Sequence, residues 1–239
     1  MAFDVRRASR NDDLRELWRV CFNEDWGAFE REYDPDRAFV AAEDGKNPVS
    51  TLHFIPQTIN LPHQEISAAY ILGVATLPEY RGRGLAGALV EKALDGLCLR
   101  GVALAFLIPA SAGLARFYAR FGFAQTGLMP AQASPPEGGG RVLDGVTPED
   151  AKALDALYGR MCADTAHPRR DAARWDIIAR SYTLKLYEDR YQALDARRVL
   201  EDSAGGLVRS DTGACVKFLG AAEKMFAPGL PMYANLLYN

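Results

Sequence analysis

Tyr70-Ile-Leu-Gly-Val-Ala-Thr-Leu-Pro-Glu-Tyr-Arg-Gly-Arg-Gly-Leu-Ala-Gly87 is the stretch on which the fold turns. Its apolar beginning predicts a strand that ends at Thr76, a short turn carries Pro78, and Arg81 to Ala86 opens a helix. The first backbone N–H groups of a helix have no partner within it, and the helix dipole adds partial positive charge at that end. Glycines at 82 and 84 let this backbone approach a ligand closely. Arg81 and Arg83 add charge-assisted donors, so the stretch predicts a cradle for a phosphate-bearing ligand. The bland alternative is a glycine-softened turn with solvated arginines.

Two patterns overlap on these residues. Gly82-x-Gly84-x-x-Gly87 has the spacing of a dinucleotide-binding fingerprint, which requires an acidic residue at the tip of the next strand. That strand, Val102 to Ile108, runs into Pro109, Ala110 and Ser111, and no Asp or Glu stands there. The other pattern is Arg-x-x-Gly-x-Gly/Ala, met by Arg81, Gly84 and Ala86 behind Val74-Ala-Thr-Leu-Pro78. It resembles the coenzyme A signature of the GNAT N-acetyltransferases. Downstream, Leu114-Ala-Arg-Phe-Tyr-Ala-Arg-Phe-Gly-Phe123 is similar to that family's later helix with its Phe-Tyr-x-x-x-Gly-Phe ending. Two motifs in the right order make the resemblance specific over about residues 1–130, and it is closest to the Eis-type branch.

The resemblance implies an α/β fold (an α+β mixed sheet) of the GNAT acyl-CoA N-acyltransferase type. It also implies acetyl-CoA as co-substrate. Val74, Ala75 and Thr76 would present backbone groups to the pantetheine arm, and one N–H could stabilise an oxyanion. Arg81, Gly82, Arg83, Gly84, Leu85, Ala86 and Gly87 would take the pyrophosphate, with Ser111 at the start of the later helix. Tyr118 matches the tyrosine that serves many GNAT enzymes as general acid; an ordinary phenol, with a pKa of about 10, stays protonated at neutral pH. The general base is open between His53, Glu79 and a water chain, and His53 reads first as a satisfied structural histidine. His63 and His167 read as solvated.

At 239 residues the chain is long enough for a substantial core. With 49% hydrophobic and 25% charged residues it is globular rather than disordered. A formal charge of −3 gives no electrostatic reason to expect nucleic acid. Met1 to Arg7 has no apolar signal core, and no apolar run is long enough to span a membrane, so no membrane partner and a cytoplasmic location are expected. The four cysteines, Cys21, Cys98, Cys162 and Cys215, are scattered singly and suggest neither a metal site nor a disulfide frame.

Along the chain, Phe3 to Arg7 predicts a strand, and Ser9 or Asn11 a cap for a helix with Leu14, Leu17, Trp18, Cys21 and Phe22 on its apolar face. Strands follow at Ala38–Ala42 and Val49–Ile55 around a turn at Asp44-Gly45, then from about Ala68 to Thr76. The helix after the loop carries Leu85, Leu89, Ala93 and Leu97 on one face. Ser111 and Gly122 bound the later helix. Residues 131–140 read as a linker, and Arg141 to Val146 as a returning strand that completes the first domain. The expected division is therefore 1–146, the GNAT domain, and 147–239, a smaller C-terminal α/β domain of GNAT-like but degenerate character. Thr147-Pro-Glu-Asp150 opens a helix, a second helix runs from about Arg169, and strands and turns follow from Leu184.

Glu24, Asp25, Glu30, Glu32 and Asp34 could draw in a cationic amine or be a solvated face, and Trp26, Phe29 and Tyr33 could be core contacts. In the Eis-type branch a terminal carboxylate can act as base, which would put Asn239 in that role. The function expected is transfer of an acetyl group to a primary amine of a small molecule or peptide. A non-catalytic acyl-CoA binder or regulatory protein is the rival, and a homo-oligomer is compatible with the sequence.

Overall fold

The computed structural model describes residues 3–23, 33–45, 47–131, 139–196, 198–210, 213–222 and 231–234. The frame is one large mixed sheet. Strands β1 (Phe3–Arg7), β2 (Ala38–Glu43), β3 (Asn47–Leu61) and β4 (Gln64–Thr76) are successive antiparallel neighbours. The chain then crosses over through helix α2 (Leu85–Leu99) and returns as β5 (Leu104–Leu107), parallel to β4, as a helical crossover permits. Helix α1 (Arg15–Phe22) lies between β1 and β2 in sequence, and helix α3 (Ala112–Ala119) leads from β5 to β6 (Ala124–Gln125) and β7 (Gly127–Pro130).

Side-chain alternation gives the sheet two buried faces. Leu52 and Phe54 of β3, Ala69 and Ile71 of β4, and Ala105 and Leu107 of β5 join Leu89, Val90, Ala93 and Leu97 of α2 in one cluster. On the opposite face Tyr70, Leu104 and Phe106 meet Ala166, Met232 and Ala234 from the C-terminal part. Both faces are covered, which is why β5 reads as a continuous apolar run.

The helix expected after Ser9 or Asn11 begins later, at Arg15, and neither residue caps it. Ser9 instead donates through its backbone N–H (2.7 Å) and Oγ (3.2 Å) to Asp12, whose carboxylate also takes both ends of the Arg6 guanidinium. Asp13 Oδ1 accepts the Arg15 N–H at 3.1 Å. The acidic and aromatic residues Glu24, Asp25, Trp26, Phe29, Glu30 and Glu32, and Asn239, lie outside the described residues.

The remaining chain forms β8 (Arg141–Val142), α4 (Pro148–Met161), β9 (His167–Pro168), α5 (Ala172–Ser181), β10 (Thr183–Leu186), β11 (Tyr191–Asp195), β12 (Arg198–Asp202), β13 (Leu207–Arg209), β14 (Cys215–Phe218) and β15 (Met232–Tyr233). Helix α4 starts as its sequence predicts: Thr147 and Asp150 form a reciprocal capping box, with Pro148 in the first turn. At the heart of this region the fully buried Arg170 guanidinium pairs with Glu201 at 2.5 and 2.9 Å. Tyr191 (2.5 Å) and Tyr233 donate to the same carboxylate, so every charge there is partnered. The Arg170 cation also stands 4.1 Å over the Tyr158 ring.

The sheets do not follow a boundary at 146. The order in the large sheet is β1-β2-β3-β4-β5-β14-β6, so β14, from beyond that boundary, sits between β5 and β6 and is antiparallel to both. β9 adds to β3, and β13 and β15 flank β7. Arg141–Val142, expected to complete the first sheet, pairs instead with β10 in the sheet β12-β11-β10-β8. No described helix is long and apolar enough to cross a membrane.

Candidate active site

The site begins where two parallel strands part. β4 and β5 pair at Ala68–Leu104, Ala69–Ala105 and Tyr70–Phe106, and β4 then continues to Thr76 without β5 beside it. On its other edge β4 stays paired with β3, but the register slips between Leu72–His53 and Ala75–Thr51. Gly73 and Val74 therefore oppose a single residue in a β-bulge, with Gly73 at φ +59°. A bulge bends the strand that carries it, and this one lies just past the last β4–β5 pair. Gly73 is required for space as well: a Cβ there would stand 2.9 Å from the His53 ring and 3.0 Å from Trp18.

Beyond Thr76 a single 3-10 turn (Pro78–Tyr80) delivers the chain to the loop, where Gly82 (φ +75°) and Gly84 (φ +80°) adopt left-handed conformations. Gly84 is the N-cap of α2 and no side chain caps the helix, so its first N–H groups are open to a ligand. A Cβ at either glycine would meet nothing within 4 Å, so backbone conformation rather than packing calls for glycine here. The loop bounds a cleft of about 350 Å³ lined by Thr76, Tyr80, Arg81, Gly82, Gly84, Leu85, Ala86, Gly87, Phe117 and Arg120.

Arg81 spends one donor on the sheet, Nε to Thr76 O at 3.1 Å. Arg83 turns elsewhere: Nη2 donates to Glu79 O at 3.2 Å and the guanidinium lies 5.1 Å from the Tyr80 ring centre and 5.9 Å from that of Phe3. It is not among the cleft residues, so of the two arginines expected at the phosphate only Arg81 lines the cleft. Ser50, fully buried on β3, lies 2.7 Å from both Ala75 O and Thr76 Oγ1. A carbonyl can only accept, so Ser50 donates to Ala75, Thr76 donates to Ser50, and Thr76 Oγ1 keeps its lone pairs for a ligand N–H. Val74 packs against the helix-side core, and neither it nor Ala75 lines the cleft.

Tyr118 is buried on α3 in the helix-side cluster with Ile71, Leu107 and Cys215. Burial first, then the nearby Cys215 and Tyr70, pushes its phenol up to about 12. Tyr118 does not line the cleft, although its neighbour Phe117 does. Ser111 caps α3, its Oγ accepting the Leu114 N–H at 3.3 Å, and does not line the cleft. His53 is buried under Trp18 and Tyr33, 3.0 Å from Thr51 Oγ1, and burial holds it down at about 3. A group with that affinity is a poor base at neutral pH. Glu79 lies in the 3-10 turn at the loop. His63 is exposed in the β3–β4 turn. His167, expected to be solvated, is half-buried in β9, where Nδ1 donates to Thr165 O at 3.0 Å. Asp34 caps a short turn and pairs with Arg37 at 3.1 Å. Among the described residues no group of three or more His, Cys, Asp or Glu could hold a metal ion.

The acetyltransferase (GNAT) domain model matches residues 4–126, from β1 through the fork and loop to the end of β6. The chain belongs to the GNAT family. No curated protein matches it in sequence. Among solved structures, a GCN5-related N-acetyltransferase from Kribbella flavida superposes with a TM-score of 0.63 at 18% identity, over 92% of this chain and 64% of that one. Eis1 from Mycobacterium abscessus gives 0.56 at 20%, over 80% and 53%. A GCN5-related N-acetyltransferase from Anabaena variabilis gives 0.57 at 20%, over 93% and 60%. At these identities the likeness is one of fold, and this GNAT chain spans 53–64% of the length of those three proteins.

The family assignment decides between the two patterns on the loop: Gly82-x-Gly84-x-x-Gly87 is part of a GNAT loop and not of a dinucleotide fold. Sequence reasoning overlooked Phe117, Arg120 and Ser50. Phe117 and Arg120 belong to the quoted Phe117-to-Phe123 motif, in which only Tyr118 drew attention. Ser50 carries no local signal, since it acts through a partner on the next strand.

Proposed function

We propose that this GNAT protein transfers an acetyl group from acetyl-CoA to a primary amine of a small molecule or peptide, by direct attack of the amine on the thioester. The observation that carries this reading is the uncapped start of α2 at Gly84, opening on the same cleft as Arg81 and the end of β4. Acetyl-CoA would supply the activated acyl carbon and a thiolate leaving group there. The open N–H groups of the first α2 turn, reinforced by the helix dipole and Arg81, suit a pyrophosphate. Thr76 offers an oriented acceptor to an amide N–H, and the unpaired edge of β4 beyond Tyr70 offers backbone donors. Tyr118 keeps its proton throughout the working range, and a hydrogen bond from it would stabilise charge on a departing sulfur.

Calorimetric titration with acetyl-CoA, run beside NADH, tests the binding half of this reading, and thiol release with a panel of amines tests the catalytic half. Binding of acetyl-CoA with no thiol release from any amine would make the protein a non-catalytic acyl-CoA binder. Tyr118→Phe is expected to keep acetyl-CoA binding and lower turnover by about a hundredfold or more. Unchanged turnover would remove Tyr118 from the role.

A further inference from the structure

Two further cavities, of about 590 and 400 Å³, share Asn60, Gly159 and His167 as lining residues. They lie at the end of the sheet away from the loop: Asn60 pairs with Glu65 at the β3–β4 hairpin, whereas Ser50 pairs with Thr76. Asn60 and Ser50 are separated by a distance on the order of 30 Å along the extended β3. Where the cavities meet, an acceptor stands without a donor. The Thr165 carbonyl can only accept, so His167 Nδ1 carries the ring proton, and burial disfavours a second one. Nε2 is therefore an acceptor, and Asn60 Nδ2, 3.4 Å away, is its donor. That fixes the Asn60 amide with Oδ1 turned from the ring, buried and without a hydrogen-bond partner among the described residues. Gly159 is a second, independent mark. It lies in helical backbone within α4, where glycine is unfavourable, yet a Cβ there would meet no atom within 4 Å. Neither backbone conformation nor packing calls for glycine at this junction.

The larger cavity also carries charge. Arg169 pairs with Glu65 at 3.3 Å and Arg170 with Glu201, and Asp171 is engaged as the N-cap of α5. Lys152 and Asp155, on the same wall, make no ion pair among the described residues. Trp175 Nε1 donates to Asp155 Oδ1 at 2.6 Å, which orients the carboxylate and leaves Oδ2 open. Side chains three positions apart on a helix share a face, with Cβ atoms about 5–6 Å from each other. An α-amino acid carries the complementary pair, an ammonium and a carboxylate, on a single carbon, and its ammonium brings the donor that Asn60 lacks. We propose that this cavity binds a free α-amino acid, its carboxylate on Lys152 and its ammonium on Asp155 and Asn60. The site is separate from the loop cleft and independent of the acyl-CoA reading.

The test is calorimetric titration of the full chain with each of the proteinogenic α-amino acids up to about 10 mM, a range that reaches millimolar dissociation constants. At least one is expected to bind. Its N-acetyl form, which lacks the ammonium, and its amide, which lacks the carboxylate, should each bind about fivefold or more weakly. Asp155→Asn should lose the preference over the N-acetyl form, and Lys152→Gln the preference over the amide. Gly159→Leu should abolish binding with no fall in the urea midpoint, because its side chain enters open space rather than packed core. Acetyl-CoA affinity should be the same in the wild type and in all three variants. Binding of no amino acid would overturn the proposal and leave Asn60 to an ordered water. Binding that none of the three substitutions alters would overturn it as well, since the ligand would then sit elsewhere.

Discussion

Replacing Gly73 by alanine tests the link between the bulge and the cleft. At φ +59° an alanine pays for a left-handed backbone, about 1–2 kcal/mol. Its Cβ would also press on His53 at 2.9 Å and on Trp18 at 3.0 and 3.1 Å. Neither ring can step aside freely: His53 is tied to Thr51 at 3.0 Å and stands edge-on to Trp18, itself packed with Leu14 and Val40. Overpacking of this kind costs about 1–3 kcal/mol. The lower entropy of the unfolded alanine chain returns roughly 0.4–1 kcal/mol. The net expectation is a loss on the order of 3 kcal/mol. The strand can relieve the clash only by flattening the bulge, which would shift Val74, Ala75 and Thr76 against β3 and uncouple Thr76 from Ser50. Acetyl-CoA affinity should therefore fall together with stability. Urea unfolding and calorimetric titration of the same variant read both quantities. A stability change below about 0.5 kcal/mol with unaltered binding would refute the reasoning, since that is the scale of an indifferent surface substitution.

Three further outcomes follow from other parts of the molecule. His53 is held at about 3 in the folded protein against 6.5 ordinarily, so between those values the unfolded chain binds a proton that the folded one does not. Stability should accordingly fall as pH drops below 6.5, by about 1.4 kcal/mol per pH unit from this group. His53→Gln should flatten that slope between pH 6 and 4, and an unchanged slope in urea unfolding would exclude the histidine as its source. A fragment ending at residue 146 lacks β14, leaving β5 and β6 with no strand between them, and should show no cooperative unfolding by circular dichroism; a folded fragment that binds acetyl-CoA would contradict this. Glu201→Gln leaves the buried Arg170 without its counter-charge and should cost about 3–5 kcal/mol in denaturant unfolding.

The sequence by itself determined the elements whose cause is local. Gly82 and Gly84 could be assigned to the turn that opens α2 because left-handed backbone and a bare helix start are properties of a few consecutive residues. The face of α2, the Ser111 cap of α3 and the Thr147 capping box were legible for the same reason, since their partners lie within one or two helical turns. Tertiary structure alone decided what depends on distant partners. Nothing in Cys215-Val-Lys-Phe218 says that it pairs with β5 and β6 rather than with its own neighbours, because a strand's hydrogen bonds are made by backbone common to all sequences. The same holds for β9 on β3, which drew His167 into a strand. Side-chain direction is equally non-local: Arg83 rests against Tyr80 and Phe3 and does not line the cleft, while Arg120, on Phe117 and Phe121, does. Charge at a position is written in the sequence, but where that charge points is settled by the surfaces that the rest of the chain folds against it.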